Sequence, residues 1–235
     1  MKVVDLFCGA GGFSQGFKEA GFEIVWALDN DFLACESYRL NHGNVVTQEN
    51  IQNILSIPTC DVLIGSPPCP EFSVANRNFK RQPDLTFVTK FLDIVAANKP
   101  KYWVMENVPQ LLNYIPEYKH KAQILQANWF GLHHKRERVF IGDFPRVKKK
   151  TDIPILYPTP VACDDHVHKS KNNPRLSSLS DYYGLSPSTE VFKKVMGFPY
   201  DYLFVGKRKD QIRQIGNAVC PPIAKAIAEA ILEAT

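Results

Sequence analysis

The sequence has few of the features that mark secreted, membrane or metal-stabilised proteins. Its six cysteines form no Cys-x-x-Cys pair and no regular spacing, which argues against a disulfide framework and favours a reducing compartment. No apolar run is long enough to span a membrane, and Asp5 interrupts the apolar start of the chain. We therefore expect no membrane association, no signal peptide and a cytoplasmic location.

The composition is that of an ordinary globular protein. The chain has 235 residues, of which 45% are hydrophobic and 22% are charged, enough for one domain with a small appendage. The net charge of +4 only weakly favours an anionic partner. The run Cys163-Asp-Asp-His-Val-His168 has no structural zinc spacing and no second cysteine pair beside it, so we predict no metal site.

Short apolar runs that alternate with helical patterns predict an α/β fold. The predicted strands are 3–7, 23–28, 45–46, 61–64, 102–105, 120–125 and 139–142, and the predicted helices are 14–20, 32–41, 84–98, 189–196 and 222–234. Such alternation is typical of a mostly parallel sheet with helices on both faces. Ligands of such sheets bind at the carboxyl ends of the strands.

A glycine-rich turn, Cys8-Gly-Ala-Gly-Gly-Phe13, follows the first predicted strand. Such a turn lets the backbone approach a ligand closely and points a helix N-terminus at it. The glycine spacing differs from the dinucleotide pattern and lacks a phosphate-loop lysine, so it favours a small nucleoside-type cofactor. Asp29-Asn30-Asp31 ends the second strand. An acid there either binds ribose hydroxyls or caps the next helix, and both readings stay open.

Cys69 stands immediately after Gly65-Ser-Pro-Pro68, at the end of the fourth strand. The two prolines stiffen the backbone before it. A cysteine held at a strand end is either an activated nucleophile or a small buried hydrophobic residue. The polar stretch 74–83 that follows contains Arg77, Lys80 and Arg81, and it is either a binding lid or a solvated loop.

Two further groups fall near the predicted strand ends. Glu106 follows the fifth strand, so we expect it to face the same crevice as Cys69. Arg136 and Arg138 are two residues apart at the start of the last strand, which places them on one side of it. Such a pair is either surface charge or suited to base oxygens and phosphate. Residues 110–114, between two prolines, leave room only for a helical turn before the sixth strand.

Taken together, these stretches resemble the cytosine-5 DNA methyltransferase family along nearly the whole chain. Six blocks match in order: Asp5–Phe13, Pro67–Ser73, Glu106-Asn-Val108, Lys135–Arg138, Gly197-Phe-Pro199 and Gly216-Asn-Ala-Val219. The resemblance implies a Rossmann-like class I methyltransferase fold with a small irregular target-recognition lobe. It implies a catalytic and cofactor-binding domain at 1–142, a recognition region at 143–188 and a C-terminal segment at 189–235 that packs back on the first domain.

The resemblance implies methyl transfer from S-adenosylmethionine to carbon 5 of a flipped cytosine, with S-adenosylhomocysteine as the product. Cys69 would attack carbon 6, Glu106 would hold N3 and the exocyclic amine, and Arg138, with Arg136, would bind the ring oxygen. The implied partner is double-stranded DNA, and the implied state is a monomer. By position, the expected DNA contacts are Ser73, Arg77, Lys80 and Arg81. The expected cofactor contacts are Phe7, Gly9, Ala10, Gly12, Asp29, Asn30, Asn50, Pro68, Asn217 and Val219.

Three departures from the family pattern stand out. Pro70 replaces a usual Gln after the cysteine, and His134 replaces the first Gln of the arginine block; we expect both to alter contacts to the nucleic acid. The recognition region is short, which predicts a short target site or readout of substrate shape. A tRNA cytosine-5 methyltransferase and a non-catalytic nucleic-acid-binding relative remain the alternatives, although the joint presence of Cys69, Glu106 and Arg138 argues against the second.

Overall fold

The structure, a computed structural model, describes residues 1–68, 83–160 and 187–235. Within them a seven-stranded sheet has the order β3-β2-β1-β4-β5-β7-β6. All neighbouring strands are parallel except β7, which runs antiparallel to β5 and β6. The strands are β1 Lys2–Leu6, β2 Glu23–Asp29, β3 Val46–Gln48, β4 Val62–Gly65, β5 Tyr102–Asn107, β6 Ala122–Gln126 and β7 Glu137–Asp143. The predicted mostly parallel α/β sheet is confirmed.

Six α-helices cover this sheet within the described residues. They are α1 Gly12–Glu19, α2 Phe32–His42, α3 Thr86–Asn98, α4 Thr189–Met196, α5 Arg208–Asn217 and α6 Pro221–Glu233. Buried side chains form one large cluster on each side of the sheet. One cluster joins α1 and α6 through residues such as Phe17 and Ile227, and the other lies between the sheet and α3 around Phe91. The fold therefore has helices on both faces, as the sequence predicts.

The connection between β5 and β6 contains no α-helix. It consists of two 3-10 turns, Pro109–Asn113 and Pro116–Lys121, because the prolines at 109 and 116 leave too little chain for a longer helix. The predicted turn at 110–114 is confirmed, whereas the second turn was not predicted. The strand it leads to, β6, forms the edge of the sheet, where Ile124 is 45% exposed.

The segment before α6 differs from the prediction. The sequence predicts an ordered turn at Gln214–Pro222, but the structure continues α5 through Asn217 and leaves only Ala218–Cys220 between the two helices. Ile212 and Ile215 bury fully on the core side of α5, and this burial outweighs the poor helix propensity of glycine. By composition alone the stretch Arg208–Glu233 could cross a membrane, yet 61% of its apolar window is buried inside the protein.

The recognition region is described only in its first part, because residues 161–186 lie outside the described residues. Residues after β7 run beside β6 and β7, where Val147 donates to Gln123 and the Ile153 amide donates to the Asn128 carbonyl. The Cys163–His168 run also lies outside the described residues. The division of the chain at 142 and 188 therefore stays a prediction.

Candidate active site

The carboxyl ends of β1, β4 and β5 lie side by side in the sheet. They carry the glycine-rich turn, the Pro67-Pro68 step and Glu106, respectively. Parallel strands that start and end together bring these three features to one edge. The structure therefore brings the glycine-rich turn, the two prolines that precede Cys69, and Glu106 to one edge, although they are far apart in the sequence.

The glycine-rich turn after β1 contains three residues with positive φ. They are Phe7, Gly9 and Gly11, with φ of 56°, 53° and 95°. The Gly9 amide donates to Oδ2 of Asp29 at 2.8 Å, and a Cβ built on Gly9 would meet no atom within 4 Å. The side of Gly9 on which a Cβ would lie is thus open, and it leaves room for a ligand beside the backbone of the turn.

The two acids at the end of β2 make different contacts, and Asp31 is the one that caps the next helix. Asp31 is the N-cap of α2 and accepts from the Ala34 amide. Burial alone would raise the pKa of Asp31. The Arg213 guanidinium and the Ala34 amide outweigh it, and the pKa of this carboxyl is lowered. Asp29 instead faces the glycine turn, and burial raises the pKa of its carboxyl. Asp29 is therefore the acid that lies beside the glycine turn, and its contact with a ribose stays a prediction.

The remaining expected cofactor residues differ in exposure and in their contacts. Asn30 is exposed, and the side chain of Asn50 caps its own 3-10 turn by accepting from the Gln52 amide. Phe7 is half-buried, with its ring in an edge contact to Phe87, the centroids being 5.8 Å apart. This position leaves part of the Phe7 ring accessible for stacking.

The C-terminal segment closes the other side of the turn. A Cβ on Gly12 would collide with the Val219 carbonyl and lie 3.1 Å from the Ala218 side chain. Val219 is buried, Ala10 is buried at 3% exposure, and Asn217 is exposed at the end of α5. Glycine at position 12 is therefore required by close packing of two segments far apart in the sequence.

The backbone that leads toward Cys69 is fixed on both sides. Ser66 donates from Oγ to the Phe7 carbonyl at 3.0 Å, and Asn107 donates from Nδ2 to the Pro67 carbonyl at 3.1 Å. Pro68 is exposed. The predicted residues Cys69, Ser73, Arg77, Lys80 and Arg81 lie outside the described residues. The roles of Asn107 and Ser66 were missed by sequence reasoning, and the available signal was their position at the end of β5 and directly after β4.

Glu106, which is buried, and Arg138, which is partly buried, form an ion pair at the end of β5. Glu106 is 6% exposed, and its Oε1 lies 2.9 Å from Nε of Arg138. Burial raises the pKa of the Glu106 carboxyl, and the positive charges of Arg138 and Arg136 oppose that rise. The pair brings a carboxylate and a planar cation together at the strand end, with the Arg138 side chain 21% exposed and therefore accessible to a ligand.

Arg136 and His134 are buried and contact backbone groups. Arg136 donates to the carbonyls of Pro160 and Ala218, at 3.0 and 3.2 Å. His134 is fully buried, with Nε2 3.0 Å from the Val195 carbonyl. Since that carbonyl can only accept, Nε2 carries the proton, and burial lowers the pKa of the ring to about 4. These contacts join β7 to α4 and to the segment before α6.

The position of His134 corrects one expectation. The sequence predicts that it alters contacts to the nucleic acid, but a fully buried ring held by the Val195 carbonyl has a structural role. For Arg136, the described contacts organise the surrounding loops, and its assignment to the cytosine stays a prediction. Within the described residues, no group of three His, Cys, Asp or Glu side chains could hold a metal ion.

Comparison with known proteins gives a consistent result along the chain. The family model of the C-5 cytosine-specific DNA methylases matches residues 1–190 and 170–233. The type II methyltransferase M1.HphI of Haemophilus parahaemolyticus is 27% identical, over 99% of this chain and 87% of its own length. The type II methyltransferase M.Bsp6I of a Bacillus species is 32% identical, over 95% of this chain and 76% of its own length.

Two solved structures share the fold. The Entamoeba histolytica methyltransferase EhMeth has a TM-score of 0.73 at 16% identity, covering all of this chain and 98% of that one. The S. pombe Dnmt2 methyltransferase has a TM-score of 0.69 at 16% identity, covering all of this chain and 99% of that one. The sheet order, the joined strand ends and the family match together lead to one conclusion: this chain belongs to the C-5 cytosine-specific DNA methylase family.

Proposed function

We propose that this protein transfers a methyl group from S-adenosylmethionine to carbon 5 of a cytosine in double-stranded DNA. The observation that carries the proposal is the ion pair between buried Glu106 and Arg138, which lies beside the backbone leading to Cys69 and at the same sheet edge as the glycine turn. Family membership supplies the reaction class. The described geometry supplies residues of suitable chemistry for holding the base and the cofactor.

The residues around the glycine turn fit S-adenosylmethionine, which supplies an electrophilic methyl group when bound. The space beside Gly9 lets a ligand come into contact with the backbone of the turn. The Asp29 carboxylate suits the two ribose hydroxyls. The accessible part of Phe7 suits an adenine ring. Gly12, Ala10 and Val219 would form the wall near the methionine portion, and Asn30, Asn50, Pro68 and Asn217 the rim.

Cys69 is the proposed nucleophile because carbon 5 of cytosine is too weakly nucleophilic to take a methyl unaided. The thiolate would add to carbon 6, forming a carbon–sulfur bond and moving electron density to carbon 5. After methylation, a base removes the carbon-5 proton and the thiolate leaves, which restores the aromatic ring. The Asn107 side chain supports this step by holding the Pro67 carbonyl two residues before Cys69.

Glu106 and Arg138 would stabilise the ring while it is not aromatic. The Glu106 carboxyl would bind N3 and the exocyclic amine, and a raised pKa favours the protonated form that can donate to N3. Arg138 would donate to the ring oxygen, with Arg136 close enough to add positive potential. A base inside a duplex cannot reach these groups, so the cytosine must be flipped out of the stack.

The proposal also covers the DNA contacts, the oligomeric state and the location. The DNA around the flipped base would be contacted by Ser73, Arg77, Lys80 and Arg81. The protein would act as a monomer inside the cell. The relatives M1.HphI and M.Bsp6I are described as type II methyltransferases. This supports a place for the chain in restriction-modification.

The experiment is methyl transfer from labelled S-adenosylmethionine to unmethylated duplex DNA and to unmodified tRNA, side by side. The products are digested to nucleosides and assayed for 5-methylcytosine, with Cys69→Ala as the control. We expect label in deoxycytidine that depends on Cys69, and bisulfite sequencing then gives the site. Label only in cytidine would move the protein to the tRNA class, and transfer by Cys69→Ala would contradict the covalent mechanism.

A further inference from the structure

The glycine turn is held from behind by two side chains that no part of the proposed chemistry uses. Tyr202, in the segment after α4, is 3% exposed, and its hydroxyl donates to the Ala10 carbonyl. The same hydroxyl oxygen lies 2.9 Å from Nε2 of His42, at the end of α2. Three segments that are distant in the sequence thus meet at one buried hydroxyl.

The direction of these hydrogen bonds is fixed by their chemistry. The Ala10 carbonyl can only accept, so the single proton of the Tyr202 hydroxyl is directed at it. His42 must then donate from Nε2 to the hydroxyl oxygen, which leaves Nδ1 without a proton. Burial lowers the pKa of His42 to about 4, so the ring is neutral at physiological pH. Ala10, Tyr202 and His42 therefore form an ordered chain of donors and acceptors.

Steric contact reinforces this chain at Gly11. A Cβ built on Gly11 would lie 2.5 Å from Nε2 of His42 and 2.7 Å from the Tyr202 hydroxyl. The turn therefore rests directly on the two side chains at the residue where its φ is 95°. Movement of either ring would leave the left-handed backbone at Gly11 without its support.

Each of the two side chains is itself fixed by buried neighbours. The His42 ring packs on Tyr38, with centroids 4.5 Å apart, and the Tyr38 hydroxyl lies 2.7 Å from Ser14 Oγ. The backbone of Tyr202 is held by the buried ammonium of Lys193, which donates to the Tyr202 carbonyl at 3.0 Å. The hydroxyl is thus presented to the turn from a rigid position.

We propose that Tyr202 and His42 are positioning residues for the cofactor site, holding Ala10 and Gly11 so that the Gly9 amide and the Asp29 carboxylate keep their alignment. The inference rests on the proposed function, because it assigns the glycine turn to S-adenosylmethionine. The Gly9–Asp29 bond of 2.8 Å lies one residue from Ala10, so displacement of the turn moves the group proposed to take the ribose. Neither side chain itself touches the reacting atoms.

The main test is Tyr202→Phe, which removes the hydroxyl and keeps the ring. The loss of one buried hydrogen bond predicts an affinity for S-adenosylmethionine about fivefold to tenfold weaker in calorimetry without DNA. The KM for S-adenosylmethionine rises by the same factor, while kcat and the KM for DNA change by less than about twofold. Tyr118→Phe is the matched control, because its ring contacts Trp103 on the other side of the sheet.

A second variant and a ligand-free measurement keep the test decisive. His42→Gln should also weaken cofactor binding. In the double variant, the loss of affinity should be smaller than the product of the two single losses, because both substitutions break the same hydrogen bond between His42 and Tyr202. In the ligand-free protein, the amides of residues 8–12 should exchange hydrogen faster in Tyr202→Phe than in Tyr118→Phe.

The outcomes separate this inference from the proposed function. Wild-type cofactor affinity and unchanged exchange in Tyr202→Phe would overturn the positioning role, whatever the activity of the enzyme. If the wild-type protein bound no S-adenosylmethionine, the proposed function would fail, yet faster exchange at residues 8–12 would still show that the two side chains hold the turn. A fall in kcat alone, with the cofactor affinity unchanged, would also overturn it.

Discussion

The guanidinium of Arg138 contacts the Glu106 carboxylate through Nε, at 2.9 Å, from a strand that runs antiparallel to the strand carrying Glu106. The register pairs Glu106 with Phe140 and Asn107 with Val139, so Arg138 lies next to the end of β5. The reversal of β7 therefore delivers the cation to the strand end where the carboxylate is. If β7 ran parallel to β5, the start of β7, which carries Arg138, would lie at the amino ends of the parallel strands, away from Glu106.

Replacement of Glu106 by Gln should slow the chemical step while the fold is retained. The amide can still accept from Arg138 Nε, but it cannot become the charged or protonated carboxyl that stabilises the cytosine ring. We expect the single-turnover rate of methyl transfer to fall by about a hundredfold, with cofactor affinity little changed. The control is Lys149→Gln, which breaks an exposed ion pair with Asp152. A Glu106→Gln rate near that of the control would remove Glu106 from the mechanism.

Replacement of Asn107 by Asp should disturb the approach to Cys69. The new side chain can still accept from the Val108 amide but can no longer donate to the Pro67 carbonyl. We expect kcat to fall by about tenfold or more, because small displacements of a nucleophile are costly. Asn98→Asp removes a similar donor to the Ile94 carbonyl at the end of α3 and should leave kcat unchanged. Equal kcat values for the two variants would contradict this role.

Replacement of Gly9 by Ala should weaken cofactor binding with only a small loss of stability. The new methyl group meets no protein atom, so its effect on the ligand-free protein is the cost of a φ of 53°, about 1 kcal/mol. It would, however, occupy the space proposed for the cofactor. Gly21→Ala is the matched control, since Gly21 also has positive φ and open surroundings. Calorimetry should show weaker S-adenosylmethionine binding for Gly9→Ala alone, and equal binding by both variants would place the cofactor elsewhere.

Replacement of Asp5 by Asn should change how stability depends on pH. Asp5 is fully buried, and burial raises the pKa of its carboxyl from 3.8 to about 7. The folded protein therefore keeps a proton that the unfolded chain loses above about pH 4. The stability contributed by Asp5 is full below that pH and is lost as the pH rises through about 7. Asn cannot titrate, so this loss is absent from the variant.

The measurement is denaturant unfolding of both proteins between pH 5 and pH 8. The stability of Asp5→Asn relative to wild type should increase with pH by roughly 3 kcal/mol across this window, because about two pH units separate pH 5 from the folded-state pKa of about 7. His42 and His134 have lowered pKa values, about 4 each, and they give the opposite slope in both proteins. The comparison removes their contribution. If the free energies of unfolding of wild type and Asp5→Asn changed with pH in the same way, Asp5 would not be the group that makes stability depend on pH.

Much of the fold follows from the sequence because its signals are local. Apolar runs such as Val62–Ile64, closed by glycine and proline, predict strands, and the predicted helix at 189–196 matches α4. The helix at Arg208–Asn217 was missed because its stability comes from the burial of Ile212 and Ile215, whereas Gly216-Asn217 is typical of a turn. Local preference was outweighed there by tertiary packing.

The site could be predicted only in part, for a similar reason. Strand ends bring Glu106 and the glycine turn together, and this follows from topology. The separate roles of Asp29 and Asp31 depend on which carboxylate the Gly9 and Ala34 amides reach, and no spacing rule decides that. The support of Ala10 by Tyr202 joins residues that are 192 positions apart, so nothing local in the sequence indicates it.

That contact has a consequence for the order in which the protein is made. The glycine turn leaves the ribosome well before Tyr202, which lies 192 residues further along the chain than Ala10. Closing so long a loop is slow compared with forming a helix or a hairpin. The nascent chain therefore holds an incomplete turn until the segment that carries Tyr202 docks, and we expect binding of the proposed cofactor only after that step.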